Sequence, residues 1–340
     1  MVNPTNNPAN PVRWGIISTA GIARSKLVPA MQASPWCEVL AVGSRSLDGA
    51  QAFAKEFDIP RAYGSYEAVL DDPDVEAVYI PLPNHLHIDI ALAAAARGKH
   101  VLCEKPIAMT GAQAEKLRDV EGNVLVSEAF MVRHHPQWEA LREQLRSGKH
   151  GPVRTAQAML SFMLDDPSNF RFNTDFGGGA MYDLGCYATM TTRYVFESEP
   201  VRVFCAMSLD PENDTDYLSS AILDYGEGRL ASFTVGIKMS AAQRLQVVCE
   251  KSMLDLPAPY VPTPGAPAKI LIDSHTGLDD FAPISHPMPE AAQYECEATN
   301  FAKAVRGEKP LAFGIDDAIR QMRVLDALFA SAKSGTWQSV

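Results

Sequence analysis

The sequence predicts an α/β protein of two parts: a doubly wound parallel sheet, then an α+β domain with a large, mostly antiparallel open sheet. Two observations carry this. Through residue 128 short apolar runs alternate with helical patterns, joined by connections too short for anything but βαβ crossovers. After Pro136 alternating runs follow one another without helices between them, as in an antiparallel sheet. The length of 340 residues exceeds what one core usually serves.

Arg13 to Ile17 reads as the first strand, and Ser18-Thr19-Ala20-Gly21-Ile22-Ala23 opens a helix with Leu27, Ala30 and Met31 on its apolar side. A strand, a tight small-residue turn and a helix N-terminus form a pyrophosphate site, because unpaired N–H groups and the helix dipole point at the anion. Ser18 and Ala20 stand where the first two glycines of GxGxxG would be, and Ala20 sets the anion slightly farther from the backbone.

Glu38 to Gly43 is the second strand and ends in Ser44-Arg45, about 20 residues after the turn. In a dinucleotide-binding fold this position holds an acid for a ribose 2′-OH or a base for a 2′-phosphate. A guanidinium pairs with a phosphomonoester that a carboxylate would repel, so NADP(H) is expected, with NAD(H) as the alternative.

Helices at Ala50 to Phe57 and near Gly64 to Leu70, a strand at Asp74 to Ile80, Pro81-Leu82-Pro83-Asn84 and a helix at His85 to Arg97 continue the rhythm. The strand His100 to Glu104 stops at Lys105-Pro106, where proline withholds an N–H and turns the chain out of the sheet. Lys105 therefore sits at a strand's carboxyl edge, where open α/β sheets bind ligands. A helix at Thr110 to Arg118 and a strand at Asn123 to Glu128 complete the part.

The second part reads as a helix at Gln137 to Arg146, then alternating runs at Val153 to Met163, Val201 to Leu209, Tyr217 to Tyr225, Arg229 to Lys238 and Arg244 to Glu250. Leu254 to His286 is read as loop with one strand at Lys269 to Ile272, and helices follow at Ala291 to Val305 and Asp316 to Ser334. The expected domains are 12–128 and 129–340, after a disordered or loosely docked tail at 1–11. Gly177-Gly178-Gly179 feeds a helix carrying Asp183 and Tyr187 four apart on one face, able to address one ligand. A tyrosine does acid/base work near neutrality when a cation stabilises its phenolate, and Lys105 could supply one.

A net charge of −11 leaves no basic excess for a nucleic acid or an anionic membrane. No window approaches a membrane span, and the six cysteines form no CxxC pair or metal-ligand spacing, which fits a reduced cytoplasm.

The turn at Ser18 to Ala23, Pro81 to His87, Glu104-Lys105-Pro106, Glu128 to Pro136 and Gly177 to Tyr187 occur in an order that resembles the glucose-fructose oxidoreductase, inositol dehydrogenase and MocA (Gfo/Idh/MocA) family. The resemblance runs from Trp14 to the last helix. Many members carry Asp and His four apart where Asp183 and Tyr187 stand here, which points to the branch with dimeric dihydrodiol dehydrogenase, NADP-dependent D-xylose dehydrogenase and glucose-fructose oxidoreductase.

The resemblance implies that Lys105 and Tyr187 act at the reacting carbon and that Asp183, Arg133 and Glu128 contact substrate. It also implies a cofactor held by Ser18, Thr19, Ala20, Gly21, Ile22, Ser44, Arg45, Pro81, Leu82, Asn84, His87, Glu104, Lys105, Phe170 and Arg171. The expected reaction is hydride transfer between NADP(H) and a secondary alcohol or hemiacetal carbon of a sugar or vicinal diol. A nicotinamide-dependent glycoside hydrolase and a non-catalytic NADP(H) sensor are the alternatives. An antiparallel sheet needing cover on both faces implies a homodimer or homotetramer through that sheet.

Overall fold

The computed structural model describes residues 10–120, 124–262, 265–275, 277 and 279–340. The expected tail therefore lies outside the described residues except for Asn10 and Pro11, as does the start expected for the sixth strand at Asn123. The chain divides into two compact units, one of Met1–His134 with Ala292–Ile319 and one of His135–Ala291 with Arg320–Val340.

The first unit is built on six strands, β1 (Val12–Ile17), β2 (Cys37–Gly43), β3 (Arg61–Tyr63), β4 (Ala77–Ile80), β5 (His100–Glu104) and β6 (Val126–Ala129). All pairs are parallel and the order is β3-β2-β1-β4-β5-β6. That order reverses direction between β1 and β4, the switch point at which such sheets bind ligands. β4 and β6 are buried along their whole length, as parallel strands covered on both faces must be.

The crossover helices are α1 (Val28–Ala33), α2 (Leu47–Glu56), α3 (Tyr66–Leu70), α4 (His87–Ala96) and α5 (Gly111–Glu115). Ser46, Ser65 and Thr110 cap α2, α3 and α5 by accepting a backbone N–H three residues on. Just before α1 the helix makes a π-turn, Ala23–Leu27.

One domain expectation is corrected here. The helix Gln293–Val305 was assigned to the second part, yet Ala298, Phe301 and Ala302 belong to the first unit's core, with Phe301 5.4 Å from Trp14 between ring centroids. The chain returns after the second unit to complete the first, a discontinuity that periodicity does not reveal.

The second unit opens with α6 (Pro136–Arg146) and contains α7 (Cys186–Phe196). Its nine-stranded sheet comprises β7 (Val153–Met163), β8 (Arg202–Leu209), β9 (Asp216–Asp224), β10 (Leu230–Gly236), β11 (Lys238–Cys249), β12 (Met253–Leu256), β13 (Lys269–Asp273), β14 (Ile284–Pro287) and β15 (Gln338–Ser339). The order is β14-β13-β12-β11-β7-β10-β9-β8-β15, antiparallel except that β10 and β7 pair in parallel. β12 and β14 were not anticipated, being four residues each in a stretch broken by Pro and Gly.

Every residue of α7 is buried, so its polar groups need internal partners. Thr191 donates to the Tyr187 carbonyl at 2.8 Å, and Arg193 forms a two-point pair with Glu199 while donating to Gln321. Trp138 packs edge-on against Tyr194 at 5.3 Å and donates its indole N–H to the Pro259 carbonyl.

Candidate active site

In the first unit the turn that carries Lys105 is fastened from three directions. The chain leaves β5 through a cis bond between Lys105 and Pro106. Behind the strand, the wholly buried Tyr79 donates to Glu104 Oε1 at 2.5 Å. Burial and the Glu104 charge push that phenol well above its ordinary pKa, so it stays a donor. Beyond the proline, Glu128 Oε1 accepts the Ile107 N–H at 2.8 Å. From α4, His87 sets Nδ1 2.8 Å from the Pro106 carbonyl and Nε2 2.7 Å from the Leu82 carbonyl.

These contacts show how three of the expected site residues are held. His87 is fully buried with its ring nitrogens facing the Pro106 and Leu82 carbonyls, and as a neutral imidazole it donates to one of them. Glu128 gives Oε1 to the same turn. Arg133 is 4% exposed, pairs with Asp317 through Nη1 at 2.5 Å and lies between the rings of Phe130 and Phe313, 5.0 and 4.3 Å from their centroids. A guanidinium so enclosed ties the segment before α6 to Asp317.

Sequence reasoning missed Tyr79 and Glu297. Glu297 is fully buried in the helix Gln293–Val305, and burial with the Glu104 charge pushes its carboxyl well above the ordinary pKa. It lines a cavity of about 20 Å³ with Ser127, His134, Asn300 and Lys309, room for a single water and too small for a sugar. An apolar-run search could not find either residue, because Tyr79 reads as strand filler and Glu297 as a helix-face charge.

The dinucleotide expectations fall at the sheet's carboxyl edge. Ser18, Thr19, Ala20 and Ile22 are half-buried and Gly21 is exposed, immediately after β1 at the switch point. Ser18 has φ of +117°, the conformation a glycine supplies without strain, and its N–H donates to the Gly43 carbonyl at 3.0 Å. The backbone thus takes the fingerprint's shape with serine in glycine's place, and the four residues Ser18 to Gly21 carry side chains no larger than a threonine's, which leaves the main chain open to a pyrophosphate. After β2, Ser44 is half-buried and Arg45 exposed. Pro81, Leu82 and Asn84 are buried next to β4.

In the second unit a 3-10 turn at Phe170–Phe172, capped by Asn169, presents Arg171. Its guanidinium forms a two-point pair with Asp183, Nε to Oδ2 at 2.7 Å and Nη2 to Oδ1 at 3.1 Å. Two residues expected to meet cofactor and substrate separately therefore meet each other. A π-turn, Met181–Gly185, precedes α7 and carries Asp183, and Tyr187 follows in the first turn of α7. Tyr187 is 8% exposed and meets Tyr260 edge-on, with centroids 5.9 Å apart. The helices after both small-residue turns thus each include a π-turn, a feature that recurs at functional sites.

Comparison with known proteins agrees with this architecture. Residues 12–124 match the oxidoreductase family with an NAD-binding Rossmann fold, and residues 138–255 match the GFO/IDH/MocA C-terminal domain. An uncharacterized oxidoreductase of Rhizobium meliloti is 40% identical, covering 97% of this chain and 99% of its own. D-xylose 1-dehydrogenase (NADP(+)) 2 of Haloferax volcanii is 35% identical, covering 95% and 98%. The 3-ketoreductase KijD10 of Actinomadura kijaniata, solved with NADP and TDP-benzene, superposes with a TM-score of 0.87 at 29% identity, covering 95% and 98%. The chain belongs to the Gfo/Idh/MocA family and is an NAD(P)-dependent oxidoreductase with a Rossmann nucleotide-binding sheet.

Proposed function

We propose that this enzyme oxidises or reduces a secondary alcohol or hemiacetal carbon of a sugar or vicinal diol with NADP(H). The observation that carries the reading is the fastening of Lys105 at the carboxyl edge of β5 by Tyr79–Glu104, Glu128 and His87, in a family of nicotinamide oxidoreductases. Such fixation serves a residue whose position matters to chemistry, since holding a group in attacking geometry removes entropy from the barrier. The xylose and dihydrobenzenediol dehydrogenases among the relatives support the substrate class.

The cofactor, once bound, supplies the hydride acceptor or donor. Tyr187 takes the substrate hydroxyl proton in oxidation and returns it in reduction, and Lys105 contributes an ammonium to the same proton transfer. Glu104 holds the nicotinamide side of the turn. Ser18 to Ile22 receive the pyrophosphate on backbone N–H groups, and Arg45 with Ser44 takes the 2′-phosphate. The pair Arg171–Asp183 presents a fixed carboxylate edge to a sugar hydroxyl.

Copies of the chain join through the outer face of the nine-stranded sheet, where Met159, Ile222, Leu230 and Val248 are exposed among Ser and Thr. Sedimentation at micromolar concentration tests this, and a monomer would refute it.

Purified protein should reduce NADP⁺ with at least one member of a panel of pentoses, hexoses and trans-diols, and NADP⁺ should outperform NAD⁺. Arg45→Ala should narrow that preference. No turnover across the panel in either direction would refute the proposal.

A further inference from the structure

We propose that Asp216 is a positioning residue for this reaction, fixing where the helical segment that carries Asp183 and Tyr187 begins. The inference rests on the function proposed above. Asp216 opens β9 and is 4% exposed. Its Oδ2 accepts both the Met181 N–H at 2.8 Å and the Ser219 hydroxyl at 2.6 Å. Its Oδ1 lies so close to Gly179 that a Cβ there would stand 2.1 Å away.

Gly179 has φ of +109°, and its N–H donates to the Arg171 carbonyl at 2.8 Å. A Cβ on Gly178 would stand 2.5 Å from that same carbonyl oxygen. The glycine run is therefore threaded between the Arg171 loop on one side and the Asp216 carboxylate on the other. Only glycine fits at either place.

From this clamp the helix starts. The Asp183 N–H donates to the Gly179 carbonyl at 3.1 Å, and the Cys186 N–H reaches back to Met181, closing the π-turn. Because Met181 is both the group held by Asp216 and the first residue of that turn, its anchoring sets the placement of the next six residues. Arg171 reaches Asp183 from the same loop that the glycines touch, so the carboxylate also bears on that ion pair.

Both donors converge on one oxygen, so an asparagine can keep both bonds while an alanine keeps neither. In Asp216→Ala, kcat should fall about tenfold or more and sugar KM should rise. NADPH affinity should stay unchanged. Asp216→Asn should retain kcat within about threefold of the parent, because the acceptor survives. A folded Asp216→Ala enzyme with unaltered kcat and KM would overturn the proposal, as would an asparagine variant as impaired as the alanine one.

If Asp216→Ala does not fold, Gly179→Ala, which drives a methyl into Oδ1, should show the same loss of kcat with intact NADPH binding; unchanged kcat would count against the proposal. If the parent enzyme turns over no sugar or diol, the function reading fails, and amide exchange across 179–187 decides this inference alone. Faster exchange in Asp216→Ala but not in Asp216→Asn upholds it, and equal exchange in all three overturns it.

Discussion

Arg171 and Asp183 are joined at two points, Nε to Oδ2 at 2.7 Å and Nη2 to Oδ1 at 3.1 Å, across twelve residues of turn and glycine run. The guanidinium also stands 4.8 Å from the centroid of the Phe170 ring, which fixes its plane. The pair makes a rigid polar corner from two side chains that would otherwise each need ordering on their own.

A double-mutant cycle measures this corner. Asp183→Asn and Arg171→Ala should each destabilise the protein, and their coupling in denaturant unfolding should be about 1–3 kcal/mol, as for contacting charged pairs. Each single change should also raise sugar KM. Coupling near zero would show that the pair is incidental.

Ser18 holds φ of +117° where a glycine would be relaxed. Ser18→Gly should therefore stabilise the protein by about 0.5–1 kcal/mol, the relief of strain less the added chain entropy. NADP(H) affinity should be kept or improved. The shift in denaturation midpoint checks the first, fluorescence titration with NADPH the second.

The Lys105 turn depends on acceptors that lie outside it. Glu128→Ala leaves the Ile107 N–H without its bond and should cost about 1–3 kcal/mol of stability, with kcat falling more than KM changes. Glu128→Gln keeps an acceptor and should restore most of both. Steady-state kinetics on the three proteins decide it.

Acid should weaken the first unit and spare one group of the second. Burial drives the imidazoles of His87 and His134 down, to about 4 and about 3. The unfolded chain then binds protons that the folded one does not, so stability rises with pH and is lost as pH falls through about 6.5 toward those values, at about 1.4 kcal/mol per unit for each group. Asp216 has the opposite sign: burial raises its folded pKa to about 6, so its contribution is fullest below about 4 and lost as pH rises to 6. Asp216→Asn should therefore raise the melting temperature at pH 8 and not at pH 4, and His134→Gln should flatten the acid slope.

The strands and the switch-point turn were legible because buried parallel strands are continuous apolar runs and the turn is short and small. β3 was not, since its three half-buried residues carry no pattern. The Lys105 turn could be located from proline's missing N–H, but not its fastening, because His87 and Glu128 lie 19 and 21 residues from the groups they hold. The Arg133 ion pair was hidden for the same reason: its partner Asp317 is 184 residues away, on a segment that returns to the first unit late in the chain. Asp216 was silent, one acid at the head of a strand, until the glycines pressed against it gave it a role.

The most direct test follows NADPH formation from NADP⁺ with the best sugar or diol of the panel, comparing the parent enzyme with Lys105→Ala and Tyr187→Phe, with NADPH affinity measured alongside. Both variants should lose about 10²–10⁴ in kcat, the range of a positioned proton-transfer group, while still binding NADPH. Parent-like turnover in either folded variant would contradict the assignment of the proton to that lysine and tyrosine.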